Sequence, residues 1–162
     1  MKKTTIFRTM PAAILLLLIF SCNIVVISNY WGTVGAYYVD IGLTDFSFSG
    51  TGSGDTYRLT LKFYNGSGEM AEFVLTPSNT KSTDPAQMYG PTTYQIDGTD
   101  NKFSGAAMLG GGLQTFAASS GQLQLGTIYI QGSKVVSVKG NYNIMIDGGG
   151  SIDGTIDYTA AQ

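Results

Sequence analysis

Glycine sets the terms on which this chain can fold. Its 22 glycines fall between short runs in which apolar side chains recur at every second position. A period of two belongs to a strand with one face buried, and glycine between such runs marks tight turns. Tyr57, Leu59, Leu61 and Phe63 alternate with Arg58, Thr60, Lys62 and Tyr64. Asn65-Gly66-Ser67-Gly68 then turns the chain into Met70 to Leu75, which predicts a hairpin. Tyr37 to Ile41 and Asp45 to Phe48 read as strands upstream. Thr92 to Ile96, Lys102 to Met108, Leu113 to Ala117, Gly126 to Ile130, Lys134 to Val138, Tyr142 to Ile146 and Ile152 to Tyr158 read as strands downstream. Residues 76 to 90 hold two of the four prolines and form the longest loop. Helical periodicity is nearly absent. The expected fold is all-β, an antiparallel sandwich or flattened barrel of about ten short strands.

The last hairpin is specified in most detail. Tyr142, Ile144 and Ile146 share one face, as do Ile152, Ile156 and Tyr158. Directly opposed residues of an antiparallel pair point the same way, so both sets reach the core only if paired positions sum to an even number. A three-residue loop of Gly149-Gly150-Ser151 meets that condition. It places Ile144 opposite Ile156, Tyr142 opposite Tyr158, and Asp147 near Asp153.

The first 22 residues have another character. Lys2, Lys3 and Arg8 precede an apolar run from Pro11 to Phe20, short for a membrane span and suited to a secretory signal. Ile19-Phe20-Ser21-Cys22 resembles the bacterial lipobox, although Phe20 is bulkier than the residue usual there. That resemblance implies cleavage before Cys22, the chain's only cysteine, and acyl chains that hold the protein to a membrane. The expected organisation is a signal peptide over 1–21, a lipid anchor and tether over 22–31, and one all-β domain over 32–162. The competing reading is an uncleaved helical anchor from Met10 to Ile27. Both place the remainder outside the cytoplasm.

Past the leader the chain carries six cations, Arg58, Lys62, Lys81, Lys102, Lys134 and Lys139, against eleven acids. Cations this few and scattered do not form the basic patch that nucleic acid requires. There is no histidine. Its absence removes the commonest general base, the commonest zinc ligand and every Ser-His or Cys-His arrangement. With Cys22 committed to lipid, no thiolate nucleophile or disulfide remains, and no cofactor is implied.

Acid chemistry is the residual enzymatic option. Glu69 and Glu72, three apart on a strand, point to opposite faces. Asp153 and Asp157 share a face about 14 Å apart, beyond the reach of a glycosidase pair. Asp97 with Asp100 and Asp147 with Asp153 are weak calcium candidates, because Asp-Gly also writes an ordinary turn and neither segment matches an EF-hand loop. Aromatic side chains on the outward phase of strands are the remaining candidates for a ligand or partner. They are Tyr64, Tyr129 and one of Tyr37 or Tyr38, joined by Trp31. The structural alternative for Trp31 is a plug closing one end of the core near the tether.

Tyr57-Arg58-Leu59-Thr60-Leu61, Pro91 with Tyr94, Gly126-Thr127-Ile128-Tyr129-Ile130, Gly140-Asn141-Tyr142-Asn143-Ile144 and Gly154-Thr155-Ile156-Asp157-Tyr158 follow an order similar to that of a diffuse group of small secreted lipoproteins of the Bacteroidetes. The resemblance covers about two thirds of the chain and rests on motif order. It implies an all-β domain at the outer membrane, in some members accessory to nutrient-import machinery, and supplies no catalytic residue. Asn23 to Ile27 lacks the acidic residues that surface-displayed members carry after the lipidated cysteine, which leaves the side of the membrane open. The expected function is a lipid-anchored, non-enzymatic β-domain that binds a partner protein or ligand at the bacterial outer membrane. A lipocalin-like carrier of a small apolar ligand and a carbohydrate-binding module are the alternatives.

Overall fold

A computed structural model of the chain describes residues 26–51, 57–131 and 134–160. The strands are β1 (Ser28–Val34), β2 (Tyr37–Leu43), β3 (Asp45–Thr51), β4 (Arg58–Tyr64), β5 (Met70–Leu75), β6 (Thr92–Ile96), β7 (Lys102–Leu109), β8 (Gly112–Leu125), β9 (Tyr129–Gln131), β10 (Lys134–Ile146) and β11 (Ser151–Thr159). One short helix, α1 (Pro85–Tyr89), interrupts the long loop before β6. Asp84 caps it by accepting the Ala86 N–H at 3.0 Å.

All the pairings are antiparallel, and they run β2-β1-β11-β10-β8-β7-β5-β4-β3 without closing, with β6 beside β8 and β9 beside β10. This long sheet folds over on itself into two layers, the first of β1, β2, β6, β9, β10 and β11 and the second of β3, β4, β5 and β7, and β8 belongs to both. Its first half, Gly112 to Ala117, pairs with β7. From Ala118 onward it pairs with β10, and from Gly121 also with β6. The register slips at Met145/Ile146, where Ser119 bulges and donates its hydroxyl to the Met145 carbonyl at 3.2 Å. A bulge bends a strand, which lets β8 pass from one layer to the other. At the opposite edge Thr44 alone separates β2 from β3, so the chain also changes layer there.

The alternation read from β4 and β5 is what packs the core. Leu59, Leu61 and Phe63 face inward with Ala71, Phe73 and Leu75, and all six are buried. Across from them Tyr142 lies against Phe73 with ring centroids 5.0 Å apart, and Phe103, paired with Phe73 on the neighbouring strand β7, adds a ring 5.1 Å away. Burying each such side chain contributes about 1.5–3 kcal/mol. Buried polar groups find partners inside the layers: the Tyr94 hydroxyl donates to the Tyr89 carbonyl at 2.6 Å and the Tyr142 hydroxyl to the Asn29 carbonyl at 3.0 Å. The protein's own rings thus fill the interior around Phe73.

Several expectations are corrected here. Ser28 to Trp31, assigned to the tether, belong to β1, which lies between β2 and β11. Gly126 to Ile130 yields only the short β9, and Lys134 to Ile146 is one continuous strand. In the last hairpin the parity rule holds, since Ile144, Ile146, Ile152 and Ile156 are all buried. The register, however, is two places along each strand from the expected one: Ile144 pairs with Ile152 and Tyr142 with Gly154. The chain reverses through Asp147-Gly148-Gly149, where both glycines take positive φ, at 86° and 107°. Tyr142 needs an opposite residue with no side chain, because a Cβ on Gly154 would sit 2.1 Å from its ring. Tyr158 could not provide that space.

Candidate functional site

The outward face of the first layer presents two parallel rows of polar side chains, fixed by strand register. Trp31 on β1 lies opposite Asp153 on β11, then Asn143 on β10, Gln122 on β8 and Gln95 on β6. Two residues along each strand run Asn29, Thr155, Asn141, Gln124 and Thr93. The alternation that sends Tyr30, Ile152, Ile144 and Leu123 inward sends these outward. Six of the ten are Asn or Gln, each able to donate and accept hydrogen bonds.

Part of the array is already ordered. The Asn143 amide donates to an Asp153 carboxylate oxygen at 2.7 Å. The Gln122 amide donates to the Gln95 side-chain oxygen at 3.4 Å, and the Asn29 side-chain oxygen accepts from both the N–H and the hydroxyl of Thr155. Trp31, 37% exposed, stands at the β1 end of the first row. With Asp153, Asn143, Gln122, Asn141 and Gln124 it lines a shallow open recess of about 430 Å³. Asp157 and Lys139 close the face beyond Thr155, paired to each other at 2.8 Å.

The other candidates are not gathered here. Trp31 does not plug the core. It faces outward, because Tyr30 takes the inward position in β1. Tyr64 ends β4 in the second layer, Tyr129 begins β9, and Tyr37 and Tyr38 lie on the edge strand β2. All four are exposed. Cys22 lies outside the described residues. Asp97 is committed to its own turn: its carboxylate accepts the N–H groups of Thr99, Asp100 and Asn101 at 2.8–3.2 Å, which lowers its pKa with the Thr99 bond as the largest cause. Asp147 sits in the hairpin turn, and Asp153 opposes Asn143 instead of Asp147. Among the described residues no three His, Cys, Asp or Glu side chains converge as a metal site. Glu69 is bonded by the Asn65 amide at 2.9 Å and by the Met108 N–H at 3.3 Å, which makes it part of the scaffold around the β4–β5 turn.

A larger recess, about 840 Å³, opens at the seam between β3 and the ends of β10 and β11. Phe46, Phe48, Val135, Val136 and Tyr158 line it, and Phe46 packs on Tyr158 with centroids 4.3 Å apart. The amide rows were missed from sequence because no single strand displays them: Gln-x-Gln, Asn-x-Asn and Asp-x-Thr are unremarked polar alternations until register sets them side by side. No protein-family model, curated protein or solved structure matches this chain.

Proposed function

We propose that this protein is a lipid-anchored, non-enzymatic binding domain of the bacterial outer membrane, which engages its ligand or partner on the outward face of the first layer. The observation that carries the reading is the registered array of amides, hydroxyls and one carboxylate with Trp31 at its end. A sheet face that serves only solubility is normally built from mixed Lys and Glu, whereas this one is built from side chains that both donate and accept. The chain's lack of histidine argues against acid–base or metal-assisted catalysis at such a face. The interior packed with rings argues against the carrier alternative.

Photo-crosslinking in intact cell envelopes tests this. A photoreactive residue at Thr155 on the proposed face should give an adduct, and one at Ser49 on β3 should not. Cys22→Ala should release the protein from the membrane fraction or leave the precursor unprocessed. Adducts at Ser49 alone would reject the face. A Cys22→Ala protein that is processed normally and stays in the membrane fraction would reject the lipid anchor.

A further inference from the structure

We infer that the ligand of this face is a neutral oligosaccharide lying across β1, β11, β10 and β8, with one sugar ring stacked on Trp31. The inference rests on the proposed binding face and adds the ligand class. Three features of the array select that class.

The first is the match of donors and acceptors. A sugar hydroxyl both donates and accepts, and so do Asn, Gln and Thr side chains. The row Asp153, Asn143, Gln122 mixes one acceptor-only group with two amides of dual capacity. Asn143 uses one of its two amide hydrogens on Asp153, which fixes the orientation of its side-chain carbonyl. An array ordered before binding loses less conformational entropy when ligand arrives.

The second is charge. An anionic polymer needs cations, and the cation at this face, Lys139, is already paired with Asp157 at 2.8 Å. Asp153 within the recess, and Asp40 opposite Trp31 on β2, repel anions further. Uronates, phosphates and nucleic acid are thereby disfavoured while uncharged hydroxyl-rich ligands are not.

The third is shape. Trp31 offers a rigid ring beside a flat polar floor, and the C–H face of a pyranose is the one weakly apolar surface a sugar has. Stacking that face on indole leaves its equatorial hydroxyls directed along the floor. Neighbouring strands are about 4.8 Å apart, so Trp31 to Gln122 covers three spacings, about 14 Å. One strand spacing is comparable with the width of one sugar ring, which gives each successive ring a polar residue beneath it. A protein partner would look for apolar anchors at the centre of its contact. The middle of this array has none, and Trp31 stands at its end.

Calorimetry on the full-length protein in a detergent without sugar headgroups tests the assignment, with cellohexaose, maltohexaose, β-1,4-mannohexaose and xylohexaose as neutral probes and polygalacturonate as the anionic one. At least one neutral hexasaccharide should bind, more tightly than its disaccharide and more tightly than polygalacturonate. Trp31→Ala should weaken it at least tenfold, Trp31→Phe by much less, and Leu113→Ala on the β7–β8 hairpin should leave it unchanged. Unaltered melting of each variant shows that the fold is intact. The assignment is overturned if none of the four binds at concentrations up to about 10 mM, ten times a dissociation constant of ~1 mM. It is also overturned if polygalacturonate binds best or if Trp31→Ala is without effect. Crosslinks at Thr155 in envelopes combined with no hexasaccharide binding would reject the sugar and leave the face; absence of both would reject the face as well.

Discussion

The phenolic hydroxyl of Tyr30 on β1 donates to the carbonyl oxygen of Ala106 on β7, 2.7 Å away and 76 residues on. Both residues are buried, and the bond crosses from one layer to the other. It ties the strand that carries Trp31 outward to the opposite sheet, so the inward side of β1 is pinned while its outward side is presented. Tyr30→Phe keeps the ring against Phe116, 6.1 Å between centroids, and removes only the hydroxyl. It should destabilise the domain by about 1–3 kcal/mol, the cost of leaving a buried carbonyl without its partner. Urea unfolding measures this; an unchanged midpoint would mean the layers are not coupled at this point.

Asn143 and Asp153 supply a sharper check of register. They are directly opposed and bonded at 2.7 Å. Asn143→Asp should set two carboxylates face to face and lower stability by about 0.2–1 kcal/mol at neutral pH, since like charges directly opposite are unfavourable. The loss should disappear below about pH 4, where carboxylates protonate. Gln124→Asp, on β8 in the neighbouring row, should show no such pH-dependent penalty. Equal behaviour of the two variants would indicate a different pairing of β10 with β11.

Stability should respond to pH toward both extremes, where the lowered pKa of Asp97 costs stability in acid and the buried phenols cost it in alkali. With no histidine, and with Cys22 acylated as proposed, no side chain has an ordinary pKa between those of the carboxylates, about 4, and the tyrosines, about 10. Stability should be flat between about pH 5 and 9. Burial raises the pKa of Tyr30 and Tyr142 well above the ordinary tyrosine value of 10.0, and pushes Tyr94 up to about 12 against the opposing effect of a Ser78 hydrogen bond. A pKa raised on folding means that the folded state holds its proton more tightly. The unfolded chain begins to lose protons near pH 10 while the folded chain does not, so stability falls as pH rises from 10 through 12. Thermal melts in this window should show a steep decline, smaller in Tyr94→Phe. A melting temperature unchanged from pH 9 to 12 would contradict the buried phenols.

Sequence periodicity reads the hairpin of β4 and β5 almost to the residue, because its inward positions, Leu59, Leu61, Phe63, Ala71, Phe73 and Leu75, are all apolar and all buried. β1 escapes it for a chemical reason. Its inward positions are Ser28, Tyr30, Gly32 and Val34, and its outward ones include Trp31, so hydrophobicity does not alternate even though burial does. Ser28 is tolerated inside because its hydroxyl donates to the Thr155 carbonyl at 2.9 Å. Glycine misleads in β8 and β10 in the opposite sense. Gly121 and Gly140 read as turn residues, yet both lie within paired strands. At Gly121 a Cβ would come within 2.5 Å of the Asn143 carbonyl oxygen, so glycine there serves close strand approach. The candidate site divides along the same line. Trp31 was legible as an outward aromatic, while the amide rows depend on five strands drawn from across the chain and exist only once register is set.

The sole tryptophan also offers the most direct test of the proposed binding face. In an amide-detected NMR titration of the full-length protein with polysaccharide extracted from the cell envelope, the Trp31 indole N–H and the side-chain amides of Asn141, Asn143, Gln122 and Gln124 should shift together and saturate at one concentration. The backbone signals of Lys62 and Glu72 on the second layer should stay in place. If the indole signal is unmoved while shifts gather around Phe46, Val135 and Tyr158, binding occurs at the seam, and the outward face of the first layer is not the functional surface.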